Sequence, residues 1–221
     1  MLRSLLWPGV LGATDEQLMW RVGAQDDHEA FARLVERWER PMQNLCVRMT
    51  GDSHRSQDLT QELFLRLFSR RKEYQPSGKF STYIWRVALN LCYDELRRRK
   101  RRAEFVAVTE PTDEGGELDH HLPVETTPHD LTIEQENADF VREALMQLTD
   151  EYRTVVVLRH YQDLKFREIA AVLEIPEGTV KSRMAEAMNQ LNRLLQPLMN
   201  TNSKQSPQAL RNPHHAERLA I

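Results

Sequence analysis

The chain of 221 residues carries 30 Lys and Arg against 33 Asp and Glu, a formal charge of −3, and 40% of its residues are hydrophobic. That length accommodates one or two domains with cores of their own, and the near-neutral total gives no hint of a nucleic-acid partner, although the distribution of charge does. Only 8 glycines and little β-branched alternation point to an all-α protein.

The opening Met1-Leu-Arg-Ser-Leu-Leu-Trp-Pro-Gly holds an apolar patch. It is too short to span a bilayer, and the Pro8-Gly9 break spoils it as a signal peptide, so residues 1–13 read as a mobile N-terminal arm. Thr14 and Gln17 make a capping-box pattern, followed by helical periodicity through Leu18, Val22 and Ala24. Asp26 or Asp27 caps a second helix with Phe31, Leu34, Val35 and Trp38 on one face. Pro41 either opens a third segment or kinks this one, and apolar positions continue through Leu45, Val47 and Met49 to a Thr50-Gly51-Asp52 stop. A further helix runs from about Ser56 to Phe68, and after the Gln75-Pro-Ser-Gly78 turn a long helix reaches about Arg102. Residues 14–103 thus form one helical domain. Cys46 and Cys92 fall in apolar helical stretches, which fits buried, reduced thiols in the cytoplasm better than a disulfide or a metal site.

The long helix is two-sided. Phe80, Ile84, Val87, Ala88 and Leu91 form its apolar side, while Lys79, Arg86, Asn90, Tyr93 and Arg97 recur at spacings that place them on the other. Cations for phosphates, an aromatic surface for stacking and an amide for a base edge are the parts that single-stranded nucleic acid requires. Tyr83 and Trp85 fit a core equally well. Arg97 to Arg102 then place six positive charges in six residues, a source of sequence-independent affinity for phosphate.

From Glu104 to Glu136 there are ten acidic residues and no Lys or Arg, with Pro111, Pro123, Pro128 and Gly115-Gly116. Such a segment buries too little apolar surface to fold alone and reads as a linker. His120, His121 and His129 stand among its acids and are read as part of it, with no metal site assigned. Residues 137–199 form a second helical domain, and residues 200–221, rich in Asn, Ser, Gln, Pro and His, a disordered tail.

Residues 165–184 are the most informative stretch. A short helix with Ile169, Ala170 and Leu173 facing inward breaks at Pro176, and a second helix opens with Thr179, Lys181, Ser182 and Arg183 and turns Val180 and Met184 inward. Pro176 removes a backbone donor and disfavours helical geometry at Ile175. This is a helix-turn-helix, whose second helix sets its first residues against base edges in the major groove.

Together the two halves resemble the extracytoplasmic-function (ECF) sigma factors of bacterial RNA polymerase over residues 14–196. Three motifs carry the resemblance: Asp58-Leu-Thr-Gln-Glu-Leu-Phe-Leu-Arg-Leu-Phe, Phe80-Ser-Thr-Tyr-Ile-Trp-Arg-Val-Ala-Leu-Asn, and Pro176-Glu-Gly-Thr-Val-Lys-Ser-Arg. It implies that Asp58, Gln61 and Glu62, at i, i+3 and i+4, dock on core polymerase. It also implies that Lys79, Trp85, Arg86, Asn90, Tyr93 and Arg97 engage the −10 promoter element, with Asn90 and the loop from Gln75 to Lys79 forming a pocket for an extruded base. Thr179, Lys181, Ser182 and Arg183 would read the −35 element as duplex. Family members often carry Gly where this chain has Glu174, and they usually continue the recognition helix with basic residues where it has Met184-Ala-Glu-Ala. Glu186 there would repel phosphate.

The two promoter elements lie roughly 70 Å apart. A coil of 33 residues spans about 30 Å on average but about 110 Å at full stretch. The acidic linker is therefore expected to run extended, in a positively charged polymerase cleft. No cofactor is implied, and many relatives are held by an anti-sigma protein. The alternative is a free-standing regulator binding duplex DNA through residues 165–184. An enzyme finds no support: the chain has no His-Glu-x-x-His, no phosphate-cradling glycine loop and no nucleophile–base pairing.

Overall fold

The computed structural model describes residues 12–75, 78–109 and 130–204, and all regular structure among them is helical. Helix α1 (Asp15–Gln25) opens with the expected capping box: the Gln17 N–H donates to the Thr14 hydroxyl at 3.3 Å and the Thr14 N–H to the Gln17 side chain at 3.0 Å. The two aspartates after it divide the work. Asp26 takes the left-handed conformation that ends α1, and Asp27 accepts the Ala30 N–H at 2.9 Å to cap α2 (His28–Thr50).

Pro41 does not interrupt α2. Leu34 and Met42, Leu45 and Met49 lie buried on either side of it, so packing holds both halves in line despite the missing backbone bond. Gly51, at φ 73°, closes the helix with its N–H on the Val47 carbonyl at 2.8 Å. Asp52 then caps α3 (Ser53–Ser69) through the Arg55 N–H at 2.8 Å. Helix α4 (Phe80–Thr109) starts where Glu16 of α1 accepts the Phe80 N–H at 2.8 Å, which ties the approach to α4 to the first helix. Phe80, Ile84 and Leu89 of α4 pack with Leu18, Met19, Leu45, Leu63 and Leu67 in one core. Cys46 and Cys92 are buried there as free thiols, with their Sγ atoms 3.7 Å apart.

Two boundaries differ from expectation. Helix α4 passes Arg102 and reaches Thr109, because no Gly or Pro intervenes before Pro111. Helix α5 (Asp130–Gln147) begins inside the expected linker, two residues after Pro128. The linker between these helices, the N-terminal arm before Gly12 and the tail after Lys204 lie outside the described residues.

Helix α6 (Asp150–Val156) runs into a π-helical turn, Val157–Tyr161, and is followed by α7 (Phe166–Leu173) and α8 (Glu177–Lys204). Val155, Leu158, Ile169, Val172, Val180 and Ala187 form their core. The break falls where it was expected, but α7 ends at Leu173, before Pro176 is reached. Glu174 turns left-handed, at φ 56° and ψ 38°, and the Pro176 carbonyl accepts the Thr179 N–H at 2.9 Å as α8 begins.

The two helical units touch. Arg153 of α6, only 5% exposed, donates to the carbonyls of Leu145, Met146 and Leu148 and, across the boundary, to that of Met49 at 2.7 Å. The guanidinium of Arg48 lies 4.1 Å above the Tyr161 ring.

Candidate nucleic-acid interface

Lys79, Arg86, Asn90, Tyr93 and Arg97 line one side of α4, as their spacing requires, and Lys79, Asn90 and Arg97 are exposed. Trp85 does not belong with them. It is 5% exposed and meets Trp38 edge-on, with ring centroids 5.6 Å apart. One residue from Arg86 is a rotation of about 100° on a helix, enough to carry the indole from the cationic side into the core.

The basic run after Tyr93 is likewise divided. Arg99 faces inward, donating to the Thr50 carbonyl at 3.2 Å and to Asp52 at 2.7 Å, and it meets Glu95 at 3.2 Å. Burial pushes the Glu95 carboxyl up, but hydrogen bonds from Arg55 and Arg99 outweigh it and hold the group below its ordinary value. Lys100, Arg101 and Arg102 remain exposed, with Arg97 and Arg98 half-answered by Asp94 and Glu95.

Three members of the α4 side meet the second unit. Lys79 Nζ lies 3.1 Å from Glu168. Arg86 donates to the carbonyls of Ala171 at 2.8 Å and Val172 at 3.3 Å, and pairs with Glu174 at 2.7 Å. The Tyr93 hydroxyl shares a hydrogen bond with Thr154 at 2.7 Å, and burial pushes its phenol up. Between the units Trp38, Lys79, Trp85, Leu164 and Glu168 border a cavity of about 250 Å³.

On α8, Lys181 is exposed and pairs with Glu177 at 2.7 Å, and the Ser182 hydroxyl donates to the Thr179 carbonyl at 3.0 Å. Thr179 is half-buried in the first turn, and Arg183 reaches Glu151 of α6 at 2.7 Å. Glu186 accepts from Gln190 at 3.0 Å and lies 3.6 Å from Arg193, which offsets part of its charge.

Asp58, Gln61 and Glu62 share the outer side of α3, with Asp58 3.1 Å from Arg55 and Glu62 2.5 Å from Arg66. Beside them Phe31, Val35, Gln61, Phe64, Leu65 and Phe68 line a groove of about 720 Å³, with Leu65 67% exposed. Sequence reasoning named the polar patch and missed the groove. Its signal was Leu65, an apolar residue following Gln61 and Glu62 on the wet side of the helix.

A helix-turn-helix joined to a helical unit with a cationic face defines a two-module DNA-binding protein. Residues 34–102 match the family described as Sigma-70 region 2, and residues 141–191 match Sigma-70, region 4. The ECF RNA polymerase sigma factor SigW of Bacillus subtilis is 31% identical over 172 residues, 78% of this chain and 92% of that one. The RNA polymerase sigma-H factor of Pseudomonas aeruginosa is 32% identical over 185 residues, 84% of this chain and 95% of that one. Among solved structures, CnrH in complex with the cytosolic domain of CnrY shares the fold at TM-score 0.60 and 20% identity, over 83% of this chain and 98% of that one. RpoE in complex with the anti-sigma factor NepR, from Bartonella quintana, does so at TM-score 0.59 and 17% identity, over 75% of this chain and 96% of that one. The chain belongs to the sigma-70 family, among the extracytoplasmic-function sigma factors.

Proposed function

We propose that this sigma factor binds core RNA polymerase and directs promoter recognition, promoter melting and the start of transcription. The observation that carries the reading is the presence of both family regions, in order, on one chain whose two modules offer a cationic helix side and a helix-turn-helix. Core polymerase docks on Asp58, Gln61 and Glu62; the groove beside them supplies the apolar area that a patch of exposed charge lacks.

Lys79, Arg86, Asn90, Tyr93 and Arg97 take the non-template strand of the −10 element. Extruding a base costs a few kcal/mol of stacking and pairing, which phosphate contacts and the Asn90 amide offset. Lys181, Ser182 and Arg183, with Thr179 in the same turn, take the −35 element as duplex. The sigma factor contributes no catalysis of its own, and polymerase supplies the bond-forming chemistry. RpoE is seen with the anti-sigma factor NepR, and an anti-sigma protein is proposed here as well. No described helix is long and apolar enough to cross a membrane, and the proposed location is the cytoplasm, with core polymerase.

Run-off transcription with purified core polymerase on genomic promoter fragments tests the reading. Discrete transcripts that depend on the chain are expected, whereas their absence from every fragment, with duplex binding retained, would favour a free-standing regulator.

A further inference from the structure

The chain has two cysteines, 46 positions apart, and tertiary packing sets them against each other. Cys46 of α2 and Cys92 of α4 are buried, and the Cys92 thiol donates to the Cys46 sulfur at 3.7 Å. A buried thiol by itself is inert, but a pair in contact carries its own resolving partner. The two sulfurs are also unequal. Hydrogen bonds from Cys92 and Thr60 hold the Cys46 thiol below its ordinary value against the effect of burial, whereas Cys46 and burial push Cys92 up. Cys46 is thus the nucleophile of the pair and Cys92 the resolving thiol. Thr60 also borders the groove of about 720 Å³ between α2 and α3, so solvent stands one side chain away from Cys46.

We propose that Cys46 and Cys92 form a reversible oxidation site: hydrogen peroxide converts the pair to a disulfide that ties α2 to α4 and weakens capture of the −10 strand. The Cys46 thiolate attacks one peroxide oxygen and the O–O bond breaks. Cys46 becomes a sulfenic acid, and the other oxygen leaves as hydroxide, which takes up the Cys46 proton to give water. The Cys92 sulfur then attacks the Cys46 sulfur, the S–O bond breaks, and the oxygen leaves as a second water with the Cys92 proton. The two thiols lose two electrons and the peroxide gains them. Disulfides in reducing compartments are usually transient and redox-sensing. The bond requires the sulfurs, now 3.7 Å apart, to close to about 2.0 Å. Their neighbours along the helices, Leu45, Leu89 and Leu91, are buried in a close-packed core that transmits such a shift. Asn90 and Tyr93 flank Cys92 on α4, so the −10 side moves with it. That consequence rests on the assignment of the α4 side to the −10 strand made above; the oxidation itself does not.

The test uses the full-length chain, oxidised with hydrogen peroxide and then freed of it with catalase. Peptide mass spectrometry is expected to find Cys46 and Cys92 joined, lighter by the two thiol hydrogens, and dithiothreitol to restore both thiols. Run-off transcription with untreated core polymerase is expected to lose most of its yield with the oxidised chain and to recover it after dithiothreitol. Methionine sulfoxide needs a dedicated reductase, so recovery with the thiol alone assigns the loss to cysteine. Cys46→Ala/Cys92→Ala, which cannot form the bond, should keep its yield through the same treatment. The parent chain, reduced and oxidised, is its own comparison, so the test stands even if that variant fails to fold. Thiols left free, or carried to sulfinic acid without a crosslink, would overturn the site. A joined pair with undiminished transcription would overturn its effect on the −10 strand. If the reduced parent chain starts no transcripts, the assignment of function fails instead, and the crosslink still decides the oxidation site.

Discussion

Arg153 provides the sharpest test of how the two units are held. Its guanidinium donates to four carbonyls at 2.7 to 2.9 Å: Leu145 and Met146 in the last turn of α5, Leu148 just beyond it, and Met49 in the last turn of α2. They are carbonyls at helix C-termini, where a helix leaves its last acceptors open; the Leu145 carbonyl also takes the Leu148 N–H at 3.2 Å, and the bonds to Met49, Leu145 and Leu148 are buried, where water cannot replace the donor. A charged hydrogen bond contributes about 1.5–3 kcal/mol net, but part of the sum over four such bonds is cancelled by burying the cation, which also pulls the Arg153 pKa down. Leaving a buried carbonyl without its donor costs about 1–3 kcal/mol, and relief from burying the cation offsets part of the total over the four. Arg153→Met, close to the shape of the stem, is therefore expected to lose about 4 kcal/mol, a large share of the roughly 5–15 kcal/mol that a domain possesses. With an m-value near 2 kcal/mol/M, the urea midpoint falls by about 2 M. Arg153→Lys, with fewer donors and no planar fork, should fall between the two. Equilibrium unfolding followed by circular dichroism reads this directly. A midpoint for Arg153→Met within about 0.5 M of the parent would refute the claim that these carbonyls depend on Arg153.

Glu95 ties stability to acid. Its folded carboxyl is held below the ordinary value of 4.5, so its stabilisation is complete above that value and fades as pH falls through the lower folded one. Glu95→Gln should flatten stability against pH below about 4.5, and an unchanged acid limb would contradict the assignment. Arg183→Ala should cost about 1–3 kcal/mol of promoter discrimination if it reads a base edge, measured by competition between promoter fragments; equal loss on every sequence would relegate it to phosphate binding. Asn90→Ala should impair strand opening, seen as weaker permanganate reactivity of the −10 thymines, while duplex binding by α8 stays near that of the parent. A normal bubble would remove Asn90 from the base pocket.

Much of the fold was legible because its causes are local. The capping box at Thr14, the Gly51 stop and the turn at Pro176 each depend on the chemistry of a few adjacent residues, and the structure shows all three. Helix ends were legible where a breaker stands. Between Arg102 and Pro111 none does, and the expected end was early. Pro41 was ambiguous for the converse reason: a breaker whose effect depends on what packs on both sides of it. The candidate site was legible as a periodicity. Five side chains on one side of α4 follow from the helical repeat, and so does the polar patch on α3.

What the chain determines by itself is the set of helices, their punctuation and the chemical character of each side, since these follow from neighbours a turn or two away. Tertiary structure alone decided that Trp85 belongs to the core, that Arg99 turns inward to Asp52, that Arg153 caps two helices at once, and that Glu168 and Glu174 lie on Lys79 and Arg86. The residues in those last pairs stand 89 and 88 positions apart, so no local pattern announces them. Only the packing of one unit on the other shows which cations already have a partner.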